Sequence, residues 1–445
     1  HNLDYLYFKD DIESNISKKI DIKKKIVDVY FDNLSSNFPN LDYKEYLHLS
    51  RNLTQAKQDY FELSFNQTDS FNSNIEEVLV TDLNTKNLLM QNYYFKQKFQ
   101  RVGLEEIKKI VPPGSCLVVM IKLNNSSNYI VICYSPDRFN YVKINGLKLE
   151  GEIYKNYFTR MEGKIDISSN RDSLKLCYNH FWKEIDSLIG DNKKVYLMND
   201  GIYNYLNPNV LIDPSNGQFV IQKYEIIETT NLDFNSQKIS IDEFSIFSNP
   251  DYRNNNLQLL GSSNEADMMK STFVESEVNI FEQHEFNLDN LSKNLNKEIT
   301  YIASHGKYKR KQLLLQSFDS DKDVDSYFLI NDYMKDSIFT FNDIIRLNLG
   351  DNELCFLSAC NIGLGQSTSS EGVLGIPLAL KMAGVKNIIF SMNNINDNKN
   401  MKFVKKFFKY LKSTRNVQTS FRNTQLDLLN ENNNFYEWGN YRLIN

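Results

Sequence analysis

Three features of the sequence predict an α/β protein with a largely parallel sheet, preceded by an α-helical N-terminal region. The first hundred residues space their apolar side chains at helical intervals. From residue 102 onward, short apolar runs rich in Val, Ile, Tyr and Phe alternate with helix-patterned stretches, as strands joined by crossover helices do. The composition can fill a large core, with 41% hydrophobic and 13% aromatic residues, including 26 Tyr and 29 Phe. At 445 residues the chain is too long for one ordinary core and is expected to divide into two or three domains.

The helical region is expected over residues 1–101. Ile16, Ile20, Val27, Phe31 and Leu34 form one apolar stripe, and Tyr46, Leu49, Leu53, Ala56, Tyr60 and Leu63 a second, with the breaker Pro39 between them. The last units of a helical-repeat array would look the same, although no fixed period recurs. A first α/β block, 102–238, opens with a short helix, Leu104 to Ile110, stopped by Pro112-Pro113-Gly114. Its strands are predicted at Cys116 to Ile121, Tyr129 to Tyr134, Val195 to Met198 and Phe219 to Ile221, with a helix over Leu174 to Ile189. The second block, 239–445, follows the polar stretch Asn231 to Ser236. Predicted strands are Phe244 to Phe247, Ile299 to Ser304, Leu354 to Ser358 and Asn387 to Ser391; predicted helices are Ser271 to Phe281, Gly372 to Ala383, Lys399 to Leu411 and Gln418 to Leu429. The Asn-, Ser- and Lys-rich stretches Asn249 to Asn264 and Lys307 to Ser337 read as loops or insertions.

Charge and apolar run length narrow the partners. With 51 basic and 56 acidic residues the net charge is -5, so no positive field draws the chain to nucleic acid. No apolar run approaches the roughly 20 residues that span a bilayer. The opening His1-Asn-Leu-Asp-Tyr5 lacks the pattern of a signal peptide. A cytoplasmic protein without membrane or direct nucleic-acid partners is expected. The start on His rather than Met leaves room for residues ahead of it. Five cysteines, an odd number without metal-site spacing, predict neither a disulfide framework nor a metal or other cofactor. Cys177 and His180, at i and i+3 on one helix face, are the alternative as a metal pair, without further ligands.

Two strand ends carry the candidate chemistry, since reactive groups in open α/β sheets gather where strands finish. Ile299 to Ser304 delivers His305-Gly306, and Glu353 to Ser358 delivers Ala359-Cys360-Asn361. A thiol needs a base or cationic neighbour to become a thiolate near neutral pH, and His305 is available as that base for Cys360. The N–H groups of Gly306 and Cys360 would serve an oxyanion. A buried core cysteine and a turn histidine are the plainer readings of the same two residues, and Cys355 suits that core role.

Five ordered pieces then resemble the CHAT peptidase family, a branch of the caspase-like clan that also holds the separases, in its TPR-linked form. They are Tyr301-Ile-Ala-Ser-His305-Gly306, Phe356-Leu-Ser-Ala-Cys360-Asn-Ile-Gly363, Glu371-Gly372-Val-Leu-Gly375, Ala383-Gly384-Val-Lys-Asn-Ile-Ile-Phe-Ser391, and Asp397. Upstream, Val195 to Tyr203 and Leu206-Asn-Pro208 resemble the segment that precedes the catalytic part. The resemblance implies a caspase-like α/β/α sandwich, with 102–238 an inactive half and 239–445 the catalytic one. It implies a cysteine endopeptidase acting on proteins, with His305 and Cys360 as dyad, in regulated proteolysis such as bacterial defence. It further implies a protein regulator bound through the N-terminal helices.

Relatives that cut after Arg or Lys hold acidic groups in the pocket, because a buried guanidinium needs a carboxylate. Ser358, Glu371 and Asp397 stand at the corresponding places; helix capping is the alternative role of the two acids. The family's usual Trp after the last of these strands is absent, the chain reading Met392-Asn393-Asn394 there. The basic run Lys307 to Lys311 reads as a solvated loop, with self-cleavage as the alternative. A non-catalytic caspase-like scaffold is the competing function. A phosphatase or nucleotide-binding fold fits less well, because the segment after Cys360 lacks both the Arg that would hold phosphate and a P-loop ending.

Overall fold

The computed structural model describes residues 2–37, 43–65, 71–86, 101–124, 126–154, 157, 167–232, 234, 238–252, 259–308, 326–330, 338–359, 366–368, 372–392, 397–431 and 435–445. Helices α1 (Asn2–Ile12), α2 (Ile16–Asn37), α3 (Tyr43–Phe65) and α4 (Phe71–Thr85) form the N-terminal region. Most of the stripes read from the sequence lie in its core: Ile20, Val27, Phe31 and Leu34 of α2 are buried, as are Leu53, Ala56 and Tyr60 of α3, whereas Ile16 is exposed and Leu49 and Leu63 are half-buried.

Helix α5 (Leu104–Ile110) ends at Val111, where the prolines forbid continuation. A meander of β1 (Ser115–Lys122), β2 (Asn128–Ser135) and β3 (Arg138–Asn145) follows. Helix α6 (Ile167–Cys177) runs through a π-helical turn, Tyr178–Trp182, into α7 (Lys183–Ile189), and then come β4 (Lys194–Met198) and β5 (Glu225–Glu228). The strand predicted at Phe219 to Ile221 is corrected. Phe219 makes one bridge to Ile212, and Val220–Lys223 is a helical turn in which the Gln222 side chain accepts the Phe219 N–H at 2.9 Å.

The second block holds β6 (Glu243–Pro250), α8 (Leu260–Thr272), β7 (Glu277–Gln283), α9 (Leu288–Asn294), β8 (Ile299–Ala303), β9 (His305–Tyr308), β10 (Ser326–Leu329) and β11 (Ile338–Thr340). It continues with β12 (Leu354–Ser358), β13 (Gln366–Thr368), β14 (Gly372–Leu374), α10 (Ile376–Ala383), β15 (Asn387–Ser391), α11 (Asp397–Thr414), α12 (Val417–Glu431) and β16 (Tyr441–Ile444). The helix predicted over Ser271 to Phe281 is a second correction, since α8 ends at Thr272 and Glu277 onward is an edge strand. Every interior residue of β7 is only half-buried, which blurs the alternation that marks a strand. The loop predicted over Asn249 to Asn264 contains the start of α8. Helix α10 begins at Ile376, with Pro377 in its first turn, instead of at Gly372. Of the stretch 307–337, the parts in β9 and β10 form a three-stranded sheet with β11, and the rest apart from Ile330 lies outside the described residues.

Eleven strands make one sheet in the order β3-β2-β1-β4-β5-β16-β15-β12-β8-β6-β7. Strands β1, β4 and β5 are mutually parallel, as are β7, β6, β8, β12 and β15. Between the two sets stands β16, parallel to β5 and antiparallel to β15. The sets therefore run in opposite directions, and their carboxyl ends open on opposite edges of the sheet.

Where the sets meet, the backbone pairing is short: Asn445 donates to the Glu228 carbonyl at 2.9 Å and Thr230 to the Asn445 carbonyl at 3.3 Å. A buried ion pair reinforces the seam. Arg442 gives Nε to Glu228 Oε1 at 2.8 Å and Nη2 to Oε2, and its Nη1 reaches the Asn204 carbonyl. On one face of β8 and β12, Tyr301 and Phe356 stack into Phe403, Phe407 and Phe408 of α11. Gly384, at φ +122°, turns the chain from α10 into β15; a Cβ there would lie 2.8 Å from the Gly350 nitrogen, so only glycine fits.

Candidate active site

Strands β8 and β12 are buried along their whole length and pair in parallel, with Ser358 opposite Ala303. His305 lies two residues beyond Ala303, and Cys360 two residues beyond Ser358. The two residues thus stand at equal offsets in the chain beyond a registered pair of parallel strands. Cys360 lies outside the described residues, as does Glu371. The last described residue before the cysteine is Ala359, buried and fixed by a hydrogen bond from Ser391 Oγ to its carbonyl.

His305 is half-buried at the elbow between β8 and β9, and in the small sheet it stands opposite Leu329, with Gly306 opposite Phe328. Its main-chain N–H donates to the hydroxyl of Tyr252 at 3.2 Å, and the two rings lie 5.2 Å apart with their planes inclined by 39°. Tyr252 donates onward to the Leu329 carbonyl at 2.8 Å, which also accepts from Ser304 Oγ at 2.6 Å.

Of the predicted pocket positions, Ser358 and Asp397 are among the described residues. Ser358 is buried, accepting from Asn400 Nδ2 at 2.8 Å and lying 3.4 Å from the Tyr441 hydroxyl. Asp397 begins α11, one turn ahead of Asn400. Beneath them Glu265 of α8, also buried, accepts from Asn400 Nδ2 at 2.7 Å and from the Tyr301 hydroxyl, while Tyr441 donates to Asn400 Oδ1. Burial, and next the Glu265 charge, push the Tyr301 hydroxyl well above its ordinary range. Sequence reasoning missed Tyr252, Glu265, Asn400 and Tyr441. Only Tyr301, inside the quoted motif, was a signal.

Cys355 is buried, and burial alone pushes its thiol up, away from thiolate chemistry. Cys177 is buried and His180 only partly so, burial lowering the imidazole. Among the described residues no three His, Cys, Asp or Glu side chains group to hold a metal ion. No helix of the described residues is long and apolar enough to cross a membrane.

In the first strand set the analogous pair of ends belongs to β1 and β4, and the residue two beyond β4 is Asp200. Its buried carboxylate accepts the N–H of Lys122 at 2.9 Å and of Gly201 at 2.7 Å. The N-terminal helices close this edge. Gln58 of α3 donates to the Lys122 carbonyl at 2.9 Å and accepts from the Asn124 N–H at 3.0 Å, and Lys86 donates to the Met120 carbonyl at 2.6 Å. Buried Asp82 pairs with Lys57 at 3.2 Å and Lys86 at 3.5 Å.

The sequence matches the family model of the CHAT domain over residues 171–444, more than half of the chain. The fold resembles that in two crystal structures of the Saccharomyces cerevisiae separase–securin complex, with TM-scores of 0.57 and 0.53 at 9% and 10% identity. Each alignment covers 97% of this chain and 37% of the other, so the chain spans little more than a third of those structures' length. No curated protein sequence matches it. With the family model spanning the second strand set and the fold shared with separases, the chain belongs to the CHAT domain family, a caspase-like peptidase-related family.

Proposed function

We propose that this protein is a cysteine endopeptidase in which His305 takes the proton of Cys360 and the thiolate attacks a peptide carbonyl. The observation that carries the reading is the register of β8 against β12, with His305 and Cys360 at equal offsets beyond Ala303 and Ser358. The N–H groups of Gly306 and Cys360 receive the oxyanion. His305 then protonates the leaving amine, and water releases the acyl group. Ser358, Glu371 and Asp397 line a pocket for Arg or Lys before the scissile bond; the support is that Asp397 begins α11, six residues along the chain from the end of β15.

Residues 102–238 serve as an inactive half, with Asp200 where a nucleophile would stand and α3 and α4 over the strand ends. A protein regulator acts through the N-terminal helices. In support, the similar solved structures are complexes of separase with securin, and Tyr5, Phe8 and Ile12 are exposed at i, i+3 and i+7 on α1. The test is digestion of a peptide library by wild type, Cys360→Ala and His305→Ala. Both variants lose cleavage while their melting temperatures hold, and wild-type cuts follow Arg or Lys. Cuts after Asp overturn the pocket; cleavage that survives Cys360→Ala overturns the enzyme reading.

A further inference from the structure

We infer that Tyr252 is the positioning residue for the base, holding the His305 main chain and ring in the orientation that acyl transfer needs; this rests on the proposed peptidase reading.

Strand β6 is kinked at its end. The strand shifts register against β7 between Ser248 and Pro250, and Asn249 there adopts φ +44°. Ser262 Oγ of α8 accepts the Asn249 N–H at 2.8 Å and fixes the kink. The bent chain brings Tyr252, 1% exposed, alongside the carboxyl end of the adjacent β8. Its hydroxyl then meets both strands of the elbow, accepting from His305 N–H and donating to the carbonyl of Leu329, the residue opposite His305.

That elbow is where a fully buried sheet strand becomes the first strand of a separate small sheet, so its backbone needs a fixed reference on both sides. Ser304 supplies one link to Leu329, and Tyr252 joins His305 to the same carbonyl. The phenol ring also packs beside the imidazole, with the two ring centroids 5.2 Å apart. A catalytic base displaced by about 1 Å loses roughly 100-fold in rate. Hydroxyl and ring thus act on the orientation of the base without touching substrate.

The experiment uses the full chain with a cleaved peptide, and iodoacetamide as a probe of the Cys360 thiolate. Tyr252→Phe keeps the ring and removes the hydroxyl; Tyr252→Leu removes both. The expected result is a kcat lowered about 10- to 100-fold in Tyr252→Phe and further in Tyr252→Leu, with KM within about 3-fold of wild type. Cys360 alkylation at pH 6 relative to pH 9 falls in the same order, approaching that of His305→Ala. Unchanged kcat and alkylation ratio in Tyr252→Phe overturn the inference, as does a loss in kcat that simply follows the fraction unfolded by circular dichroism. If wild type and His305→Ala alkylate alike at both pH values, it is the dyad reading that fails.

Discussion

Arg442→Met tests how the two strand sets are joined. Arg442 and Glu228 are buried, with side chains 3% and 8% exposed, and two guanidinium nitrogens meet two carboxylate oxygens. A hydrogen bond to a charged partner contributes about 1.5–3 kcal/mol. Removing the arginine breaks both, frees the Asn204 carbonyl and strands Glu228 with the Asn199 amide at 2.9 Å. Stranding one member of a buried pair costs about 3–5 kcal/mol. The double substitution Arg442→Met with Glu228→Met removes both charges and returns most of that loss, because an apolar pair avoids the desolvation cost. Urea unfolding followed through the two fully buried tryptophans gives the measurement, Trp182 packing in the first block and Trp438 close to β16. Hydrogen exchange at β5 and β16 localises it. A loss below about 1 kcal/mol in Arg442→Met, or a double variant no more stable than the single one, refutes the reasoning.

Two further outcomes concern the core beneath the site and the first strand set. Phe356, at the centre of the aromatic cluster and fully buried, costs about 3–5 kcal/mol when cut to alanine, read as a lowered urea midpoint with an unchanged slope. Burial raises the Asp200 carboxyl, opposed chiefly by Lys86. Its folded form therefore favours the proton. The stability that follows is fully present below the unfolded value of about 3.9 and is lost as pH rises through the raised folded one. Asp200→Asn cannot ionise, so its deficit relative to wild type narrows between pH 4 and pH 7. A deficit that stays constant or widens contradicts this.

The central strands were legible because they are uniform. Ile299 to Ala303, Leu354 to Ser358 and Asn387 to Ser391 are buried on both faces, so each appears as a short, mainly apolar run without charged residues. The edge strand β7 and the single turn at Val220–Lys223 were misread because neither is buried strongly on one side alone or long enough to show a period. Strand β16 was missed for a related reason: Arg442 breaks its apolar pattern, and only the distant Glu228 makes a charge tolerable there. The site divides in the same way. His305 and Cys360 stand in contiguous motifs, whereas Tyr252, Glu265 and Asn400 come from Asn- and Lys-rich stretches and acquire meaning only through partners 36 to 135 positions away.

The position of β16 has a consequence for synthesis. It follows every other described strand in the chain, yet it fills the middle of the sheet, and its Tyr441 anchors Asn400 under the proposed pocket. On a ribosome both flanking sets are made before the piece that unites them. A nascent chain lacks the support below Ser358 until β16 has been made, so the proposed centre stays unassembled up to that point.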